Sequence, residues 1–475
     1  MKKFWKITAV VLCMGLMLSL CACGGKSGQG GDSQKTVNLV WYLRSTEPNG
    51  FAEVQQAINE YTTEKLGATV EIRFIQPGDW KEKVNMMMAA KEEFDLIYTG
   101  DWAASFSAQV NMGGLMPLND LLEETPTLQG MFSEGIWDAT SFDGKIYGVP
   151  NTQVLYDQAG LWFKKDIVEK YGFDLSAVSS LEDLTPMFET VKAGEAADFI
   201  PARRGIVGQF DTQYGTVEGF PIIDGKVTDR IEERLPQYII MRDWYEKGFF
   251  PADVATMTDD TAIINGGKVF SCYNRYLPGV ASKFNLTHSY EVEVIATNNP
   301  LITRASVQSA MTSISATSKN PEKAIQLIEL METDQYLLNL LCYGIEGRDY
   351  EKDPDNENRI NRSSDSYYVA EFLVGNQLLA YLQPSYEDTV WKETDAENKA
   401  APVDPNNGFS FNQDPVKTEL TNLNSVSNEF ATVLGNGLDD PEATFQKQQE
   451  KRELAGLQKV MEEIQNQYDA WLAQQ

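Results

Sequence analysis

The sequence contains a single histidine, His288, among 475 residues. Ser-His-Asp and Cys-His catalytic centres, and zinc sites built from several histidines, need this residue as base or ligand, so these classes are nearly excluded. No Walker loop, dinucleotide-binding fingerprint or G-x-S-x-G elbow occurs either. We therefore expect His288 to be a surface residue and the protein not to be an enzyme.

Metal-binding motifs are also missing. The stretch DPDNENRIN, residues 353–361, spaces its acids like a calcium loop but lacks the glycine that the sharp turn of such a loop requires. We interpret it as a solvated turn and expect no metal and no cofactor. The 69 acidic residues leave open a carboxylate pair of the glycosidase type, although no two of them stand out.

Cysteine is scarce, with five in the chain. Cys13 and Cys21 lie in a segment that we expect to be removed, and Cys23 is expected to be modified. This leaves Cys272 and Cys342 in the folded body, which does not indicate a disulfide framework. We expect two free, buried thiols, and a bond between them stays open.

The N-terminal segment has the pattern of a secretion signal. In residues 1–22, three lysines precede the apolar stretch TAVVLCMGLMLSL, which is too short to span a membrane comfortably. LCAC, residues 20–23, resembles the lipobox of bacterial lipoproteins, which places a diacylglyceryl group on Cys23. Two acyl chains hold a protein stably at a membrane, and the Gly/Ser-rich residues 23–36 predict a flexible tether. The alternative is an uncleaved membrane helix.

Positive charge is in short supply, because 40 Lys and Arg oppose 69 Asp and Glu and give a net charge of −29. Removal of residues 1–22 takes away three lysines and no acid, which lowers the net charge to −32. Such a surface repels nucleic acid and anionic lipid headgroups. We expect no nucleic-acid partner and contact with the membrane only through the lipid anchor, at the extracellular face of the bacterial cell membrane.

Strands and helices alternate along the body of the chain. TVNLVWYL, ATVEIRFI and FDLIY read as strands separated by amphipathic helices, which predicts a parallel sheet with crossover helices. A second α/β set follows from residue 154, residues 345–420 are loop-rich, and a long helix closes the chain with an apolar stripe that we interpret as core. Ligands bind at the carboxyl ends of strands in such sheets, where the loop TGDW emerges.

Several stretches in this order resemble bacterial extracellular solute-binding proteins of the carbohydrate-uptake kind, which serve ABC transporters. They are the lipobox with its tether, FDLIYTGDW, GGLMPLNDLL, GKIYGVPNTQ and SISATSKNPEKAIQLIELM. YGIEGRDYEK, NNGFSFNQDPVKTEL and ELAGLQKVMEEIQNQYDAW resemble the C-terminal domain of unknown function of one subgroup of these lipoproteins.

The resemblance implies an α/β, two-lobed fold of the periplasmic-binding-protein type, with a hinge, an inter-lobe cleft and a helical C-terminal region. The chain is then expected to cross near Pro150, return near residue 295 and cross again near residue 345. Lobe 1 would comprise residues 37–150 and about 295–345. Lobe 2 would comprise residues 151–294 and about 346–475, including the C-terminal helical domain.

Candidate ligand contacts are side chains at strand ends, in the loops after them and at the crossover. Because side chains alternate along a strand, only one ring of Trp41 and Tyr42 is expected to meet the ligand. The full set is Trp41, Tyr42, Arg44, Asp101, Trp102, Asn151, Gln153, Gln209, Tyr273, Asn274, Arg275, Tyr276 and Phe409.

The function that follows is capture of a carbohydrate, an oligosaccharide in our hypothesis, in the cleft and its delivery to an ABC transporter permease by a monomeric protein. Aromatic rings suit the C–H face of a sugar, and amides and acids suit its hydroxyls. A surface-anchored enzyme acting on polysaccharide, a glycan or peptide sensor without a permease, and oligopeptide capture are the alternatives.

Overall fold

The structure of this protein, a computed structural model, describes residues 36–257 and 259–475. The predicted leader, the predicted lipidation at Cys23 and the tether up to residue 35 lie outside the described residues. Among the residues that are described, no helix is long and apolar enough to cross a membrane.

The described residues form short strands and many helices. The strands are β1 (Val37–Arg44), β2 (Ala68–Ile75), β3 (Leu96–Thr99), β4 (Ser141–Phe142), β5 (Lys145–Ile146), β6 (Val149–Pro150), β7 (Ala159–Lys164), β8 (Ile200–Ala202), β9 (Thr216–Val217), β10 (Phe220–Ile223), β11 (Lys226–Val227), β12 (Val269–Arg275), β13 (Val292–Ala296), β14 (Met311–Ile314), β15 (Glu351–Asp353) and β16 (Asn356–Asn361).

The helices follow the same chain order. They are α1 (Phe51–Leu66), α2 (Trp80–Ala90), α3 (Phe106–Asn111), α4 (Asn119–Glu123), α5 (Pro126–Gln129), α6 (Glu134–Ala139), α7 (Lys165–Tyr171), α8 (Leu181–Gly194), α9 (Leu235–Glu246), α10 (Thr261–Asn265), α11 (Val280–Thr287), α12 (Arg304–Val307), α13 (Pro321–Thr333), α14 (Gln335–Tyr343), α15 (Val390–Ala400), α16 (Lys417–Gly435), α17 (Pro441–Leu454) and α18 (Leu457–Leu472).

The first sheet has the strand order β2-β1-β3-β14-β6. Strand β1 runs parallel to β2 and β3, as the alternating sequence pattern predicted, and β14 joins antiparallel to β3 and β6. The side chains of Leu39, Trp41 and Leu43, on one face of β1, are at most 1% exposed, and Tyr42 on the opposite face is 8% exposed. This central strand is therefore covered on both faces, and the loops after β1 and β3 emerge at one edge of the sheet.

The second sheet has the order β13-β7-β12-β8. Strand β7 is antiparallel to both β12 and β13, and only β8 runs parallel to β12, so this lobe is not the second parallel sheet that simple alternation suggests. Its core joins Leu161 and Phe163 of β7 to Phe188 of α8 and Trp244 of α9. The pattern of two α/β lobes is nonetheless the one expected.

The C-terminal helices form a third packing unit with the small antiparallel sheet β11-β10-β9. Phe220 and Ile222 of β10 pack with Leu457, Val460 and Ile464 of α18. The apolar stripe predicted on the last helix is therefore core packing, as expected.

The assignment of residues 346–403 to lobe 2 is wrong. Tyr350, Ile360 and Tyr367 belong to the core of the first sheet, and so does Ala401 at the end of α15. The third passage between the lobes accordingly lies between Ala401 and Phe409, which packs with the C-terminal helices, and not near residue 345. The physical reason is that the loop-rich region buries scattered aromatic and apolar side chains in the first lobe without a periodic pattern.

The two cysteines of the folded body are free and buried, as expected. Cys272 of β12 packs with Trp162 in the second lobe, whereas Cys342 of α14 lies in the core of the first. Burial raises the pKa of both thiols above the ordinary value, which makes them poor nucleophiles.

Candidate functional site

The loop after β3 presents an indole to solvent. Trp102 is 57% exposed, and its Nε1 donates a hydrogen bond to the Ser309 carbonyl at 2.7 Å. The guanidinium carbon of Arg44, at the end of the parallel neighbour β1, lies 4.5 Å from the centroid of the indole ring. A Cβ atom at Gly100 would lie 2.8 Å from the same Ser309 carbonyl, so only glycine allows this close turn.

One carboxylate oxygen of Asp101 accepts a hydrogen bond within the protein. Its Oδ1 accepts a hydrogen bond from the Phe106 backbone N–H at 2.8 Å, at the start of α3, and its own N–H donates to Gln308 at 3.0 Å. The side chain is exposed, in contrast to its neighbours in β3. Asp101 therefore stabilises the loop and also presents negative charge to water.

The first crossing segment connects this loop to the second lobe. Gln153 donates to the Ser309 hydroxyl at 3.1 Å, so the residue that anchors Trp102 also anchors the crossing segment. The Asn398 amide of α15 donates to the Gln153 carbonyl at 2.6 Å and accepts from the Leu155 N–H at 2.9 Å. Side chains thus hold the backbone of the first crossing segment, at which the two lobes meet.

The end of β12 packs against this segment. Arg275 donates to the Tyr156 carbonyl at 2.6 Å and pairs with Asp157 at 2.9 Å. Tyr273 is 43% exposed, and the half-buried Tyr276 donates its backbone N–H to the Gln158 carbonyl at 2.9 Å. Asn274 lies opposite Gly160 in the β7 register. The tyrosine at position 273 is thereby presented to a cavity, with Arg275 fixing the strand end.

That cavity, the main cavity, has a volume of about 470 Å³. It is bounded by the loop of residues 208–221, by the crossing residues Asp157 and Asn298, and by helices α16 and α17. Its lining includes two exposed rings, Tyr214 and Tyr273, and amide side chains such as Gln209. A concave surface that combines rings with a few polar groups is typical of small-molecule sites.

A smaller cavity of about 170 Å³ adjoins it, sharing Asp157, Gln213, Tyr214 and Thr216. Its other side includes Arg304 at the start of α12 in the first lobe and Phe409 beside the C-terminal helices. The small cavity therefore lies between the lobes, and the two cavities form one continuous candidate site.

Arg304 joins the lobes at this point. Its guanidinium donates to the carbonyls of Asn407 at 2.8 Å and Ser141 at 2.9 Å, and its carbon lies 4.5 Å from the centre of the Phe142 ring. Burial lowers the pKa of Arg304 to about 10, so the group stays protonated at neutral pH.

The arginines of the main cavity are matched by acids. Arg452 contacts Asp229 through two hydrogen bonds of 2.9 and 3.0 Å. Ion pairs also join Arg230 to Glu233 and Arg234 to Asp211. No guanidinium of this lining is therefore left uncompensated within the described residues.

Glu218 extends from the turn between β9 and β10 toward the first lobe. Its side chain is exposed, yet the surrounding protein desolvates the carboxyl enough to raise its pKa, and the nearby charge of Asp101 acts in the same direction. The Gln413 amide donates to it at 2.6 Å and opposes that shift. The carboxylates of Asp101 and Glu218, one from each lobe, are thus close enough for the charge of Asp101 to affect Glu218.

Four predicted contacts are buried. Trp41 is 0% exposed and Asn151 is 1% exposed. The side-chain amide of Asn151 donates a hydrogen bond to the Phe372 carbonyl and accepts one from the Thr312 hydroxyl. Tyr42 is 8% exposed and donates to Glu92 at 2.6 Å. The expectation that Trp41 or Tyr42 meets the ligand is wrong, because β1 is a central strand covered on both faces, and Asn151 is a structural residue.

Phe409 is 4% exposed and packs against Tyr468 and Trp471, with an edge on the small cavity. Of the remaining predicted residues, Gln209 and Tyr273 line the main cavity. Arg44, Asp101 and Trp102 lie at the edge of the first sheet, and Gln153, Asn274, Arg275 and Tyr276 lie at the first crossing segment and the end of β12, outside the lining of both cavities. Sequence reasoning missed Tyr214, although DTQYG has the same signal as TGDW, an aromatic next to glycine in a polar loop.

Comparison with protein families gives a match over residues 45–337 to the bacterial extracellular solute-binding protein family. The chain belongs to that family. Residues 405–473 match a domain of unknown function, DUF3502. The resemblance inferred from the sequence is thereby confirmed in both parts.

Two curated relatives support the family membership. A carbohydrate ABC transporter substrate-binding protein of Streptococcus pneumoniae serotype 4 is 28% identical, over 99% of this chain and 98% of that protein. Lipoprotein LipO of Bacillus subtilis is 24% identical over 42% of this chain and 37% of its own length.

Solved structures give the same architecture. The N-glycan transport solute-binding protein NgtS of Streptococcus pneumoniae matches with a TM-score of 0.82 and 25% identity, over 92% of this chain and 99% of that one. The alginate-binding protein AlgQ2 matches with a TM-score of 0.61 at 15% identity, over 92% of this chain and 98% of that one, which shows the fold alone. The two-lobed fold predicted from the sequence is confirmed.

Proposed function

We propose that this solute-binding protein captures an uncharged oligosaccharide in the main and small cavities and delivers it, as a monomer, to the permease of an ABC transporter. The observation that carries the proposal is a concave site whose main cavity combines exposed rings, amides and carboxylates with three arginines that are each paired with an acid. It binds its ligand without catalysis and uses no cofactor or metal.

Sugars suit these side chains. A pyranose presents an apolar C–H face that packs on Tyr214, Tyr273 or Trp102, and its hydroxyls both donate and accept hydrogen bonds. Gln209 and Gln213 offer amides that can do either, and Asp157 offers a carboxylate acceptor. The rings bury the apolar face of the sugar, and the polar groups select the orientation of each hydroxyl.

The charge balance favours a neutral ligand. The lining of the main cavity contains four acids, Asp157, Asp211, Glu218 and Asp229, against three arginines. An anionic glycan would meet this excess together with the acidic surface of the whole chain, and the three guanidinium groups of the main cavity are already paired with acids.

A relative supports the glycan class. NgtS has been crystallised with Man1GlcNAc and with Man5GlcNAc, and those complexes match this chain with TM-scores of 0.72 and 0.68.

Capture then follows from two lobe arrangements. A glycan that contacts both lobes stabilises the closed form by the difference between its affinities for the two forms. The segments that move are the three crossings, of which the first is held by Asn398 and Gln153. The permease distinguishes loaded from empty protein by the closed arrangement.

The lipid anchor completes the proposal. We place it on Cys23, so that residues 23–36 tether the body to the extracellular face of the membrane. Two acyl chains supply stable attachment that the strongly acidic body would not obtain by adsorption to anionic lipid.

The proposal is tested by calorimetry with neutral gluco-, manno-, xylo- and chito-oligosaccharides, with Man1GlcNAc and Man5GlcNAc, with alginate oligomers as anionic glycans, and with an oligopeptide library. We expect a neutral oligosaccharide to bind, to raise the melting temperature and to be recovered intact. Binding of peptides alone, or of alginate oligomers alone, would show that the ligand class is wrong. Recovery of hydrolysed sugar would show an enzyme.

A further inference from the structure

The domain of unknown function contributes a wall of the main cavity. Leu420, Leu423, Asn424 and Ser427 of α16 line it, and their spacing of i, i+3, i+4 and i+7 places all four on one helical face. The two leucines are buried at the base of this face, whereas Asn424 and Ser427 are exposed. The helix therefore presents a polar rim above an apolar floor.

This wall is fixed to the second lobe. Arg452 of α17 is 8% exposed at its side chain and contacts both oxygens of Asp229, which precedes α9. Gln465 of α18 accepts from the Val227 N–H at 2.8 Å and donates to the Gly225 carbonyl at 3.0 Å. Loop, small sheet and C-terminal helices thus form one packed unit.

The cavity that the polar rim lines also contains a ring whose position is fixed. The guanidinium of Arg230 lies over Tyr214 at 4.9 Å from the ring centroid, and Arg230 is itself paired with Glu233. Asn424 and Ser427 make no side-chain hydrogen bond to other residues in the described part of the chain. An exposed amide and hydroxyl that line the same cavity as an immobilised ring match the hydroxyl rim and the C–H face of one sugar unit.

We propose that the C-terminal domain is part of the glycan site. In this proposal, α16 forms a subsite that binds one end of the neutral oligosaccharide, with Asn424 and Ser427 contacting its hydroxyls and Tyr214 packing on its ring. The inference rests on the proposed function and deepens it by assigning a role to the domain and an orientation to the ligand.

The subsite is present before the lobes close. Its walls belong to the second lobe and to the helices packed on it, and only the crossing residues Asp157 and Asn298 border it from the hinge. The end of a glycan can therefore bind to the open form, and closure then adds the first-lobe contacts. Longer glycans gain affinity from this subsite, whereas a ligand too short to reach it gains none.

The test blocks the subsite from α16. Ser427→Trp fills the cavity side of the helix, and Ser425→Trp, an exposed neighbour that does not line the cavity, is its matched control. Asn424→Ala, matched by Asn422→Ala, removes only an exposed amide and so preserves folding. The probes are disaccharides to hexasaccharides of the series that binds to the unmodified protein.

We expect Ser427→Trp to lower hexasaccharide affinity by at least about tenfold and to abolish the gain of affinity with length, with disaccharide affinity unchanged. Asn424→Ala should act in the same direction more weakly, and both controls should bind as the unmodified protein does. Unchanged length dependence in Ser427→Trp and Asn424→Ala, or an equal loss in the controls, would overturn the subsite. Failure of the unmodified protein to bind any glycan would overturn the proposed function and this inference with it.

Discussion

Arg44 covers one face of Trp102, with the guanidinium carbon 4.5 Å from the ring centroid. Together with the Nε1 hydrogen bond to Ser309, this contact fixes an indole that is 57% exposed. An immobilised ring loses little side-chain entropy when a ligand packs on it. We propose that the pair forms a platform on the first lobe for one sugar ring.

Replacing the indole tests the platform. Trp102→Ala removes the ring and should weaken binding of the neutral oligosaccharide by about tenfold or more, because buried aromatic anchors dominate such interfaces. The melting temperature should change little, since more than half of the ring is already in water. Tyr336→Ala, which removes a ring of similar exposure from α14, should alter neither quantity. Equal binding by both variants would remove Trp102 from the site.

We predict two roles for Asp101, one structural and one in binding, which two substitutions separate. Asp101→Asn keeps an oxygen for the Phe106 N–H and removes the charge, whereas Asp101→Ala removes both. We expect the alanine variant alone to lose stability, by about 1 kcal/mol, and both to lose glycan affinity. The pKa of Glu218 should fall in both, since Asp101 contributes to raising it. Calorimetry and NMR titration measure these effects, and full affinity in the asparagine variant would leave Asp101 with only its structural role.

The local signals in the sequence predicted much of the first lobe. A strand ending in a glycine turn predicted an exposed Trp102, and the structure shows this ring 57% exposed beside Arg44, at the end of the parallel neighbour β1. The same rule chose Trp41 wrongly, because alternation shows which side chains share a face but not that helices cover both faces of a central strand.

Such local signals do not predict contacts between residues that are distant in sequence. Tyr350, Ile360 and Tyr367 lie in a loop-rich stretch, and their burial in the first lobe depends on long-range packing that no local period encodes. The walls supplied by α16 and by Tyr214 come together only because the small sheet packs on α18.

The buried pair of Arg452 and Asp229 should hold the C-terminal helices in place. Arg452→Leu leaves the Asp229 carboxylate without its partner in a largely buried site and should lower the free energy of unfolding by about 3 kcal/mol. Lys451→Met removes the neighbouring exposed pair with Glu429 and should cost at most about 1 kcal/mol. Adding Asp229→Leu to Arg452→Leu should restore much of the loss. Denaturant unfolding measures all three, and equal costs for Arg452→Leu and Lys451→Met would contradict the prediction.

Glu332, which lies beside the first crossing segment, should make the stability of the protein depend on pH. It is 2% exposed on α13, and its Oε2 accepts a hydrogen bond from the Thr152 N–H at 3.2 Å. Burial raises its pKa from 4.5 to about 8, against the smaller effect of that hydrogen bond. The native state therefore keeps a proton that the unfolded state releases. The resulting stabilisation is fully present below about pH 4.5 and is lost as the pH rises through about 8.

Glu332→Gln keeps the shape of the side chain and removes its titration. We expect the stability of the variant to lose this pH dependence, so that it exceeds the parent above about pH 8 by on the order of several kcal/mol. Glu322→Gln, an exposed position in the first turn of the same helix, should follow the parent at every pH. Denaturant unfolding from about pH 5 to about pH 9 distinguishes the two. A Glu332→Gln curve parallel to that of the parent would show that Glu332 is ionised in the native state, because only a carboxyl that stays protonated on folding produces the difference in slope.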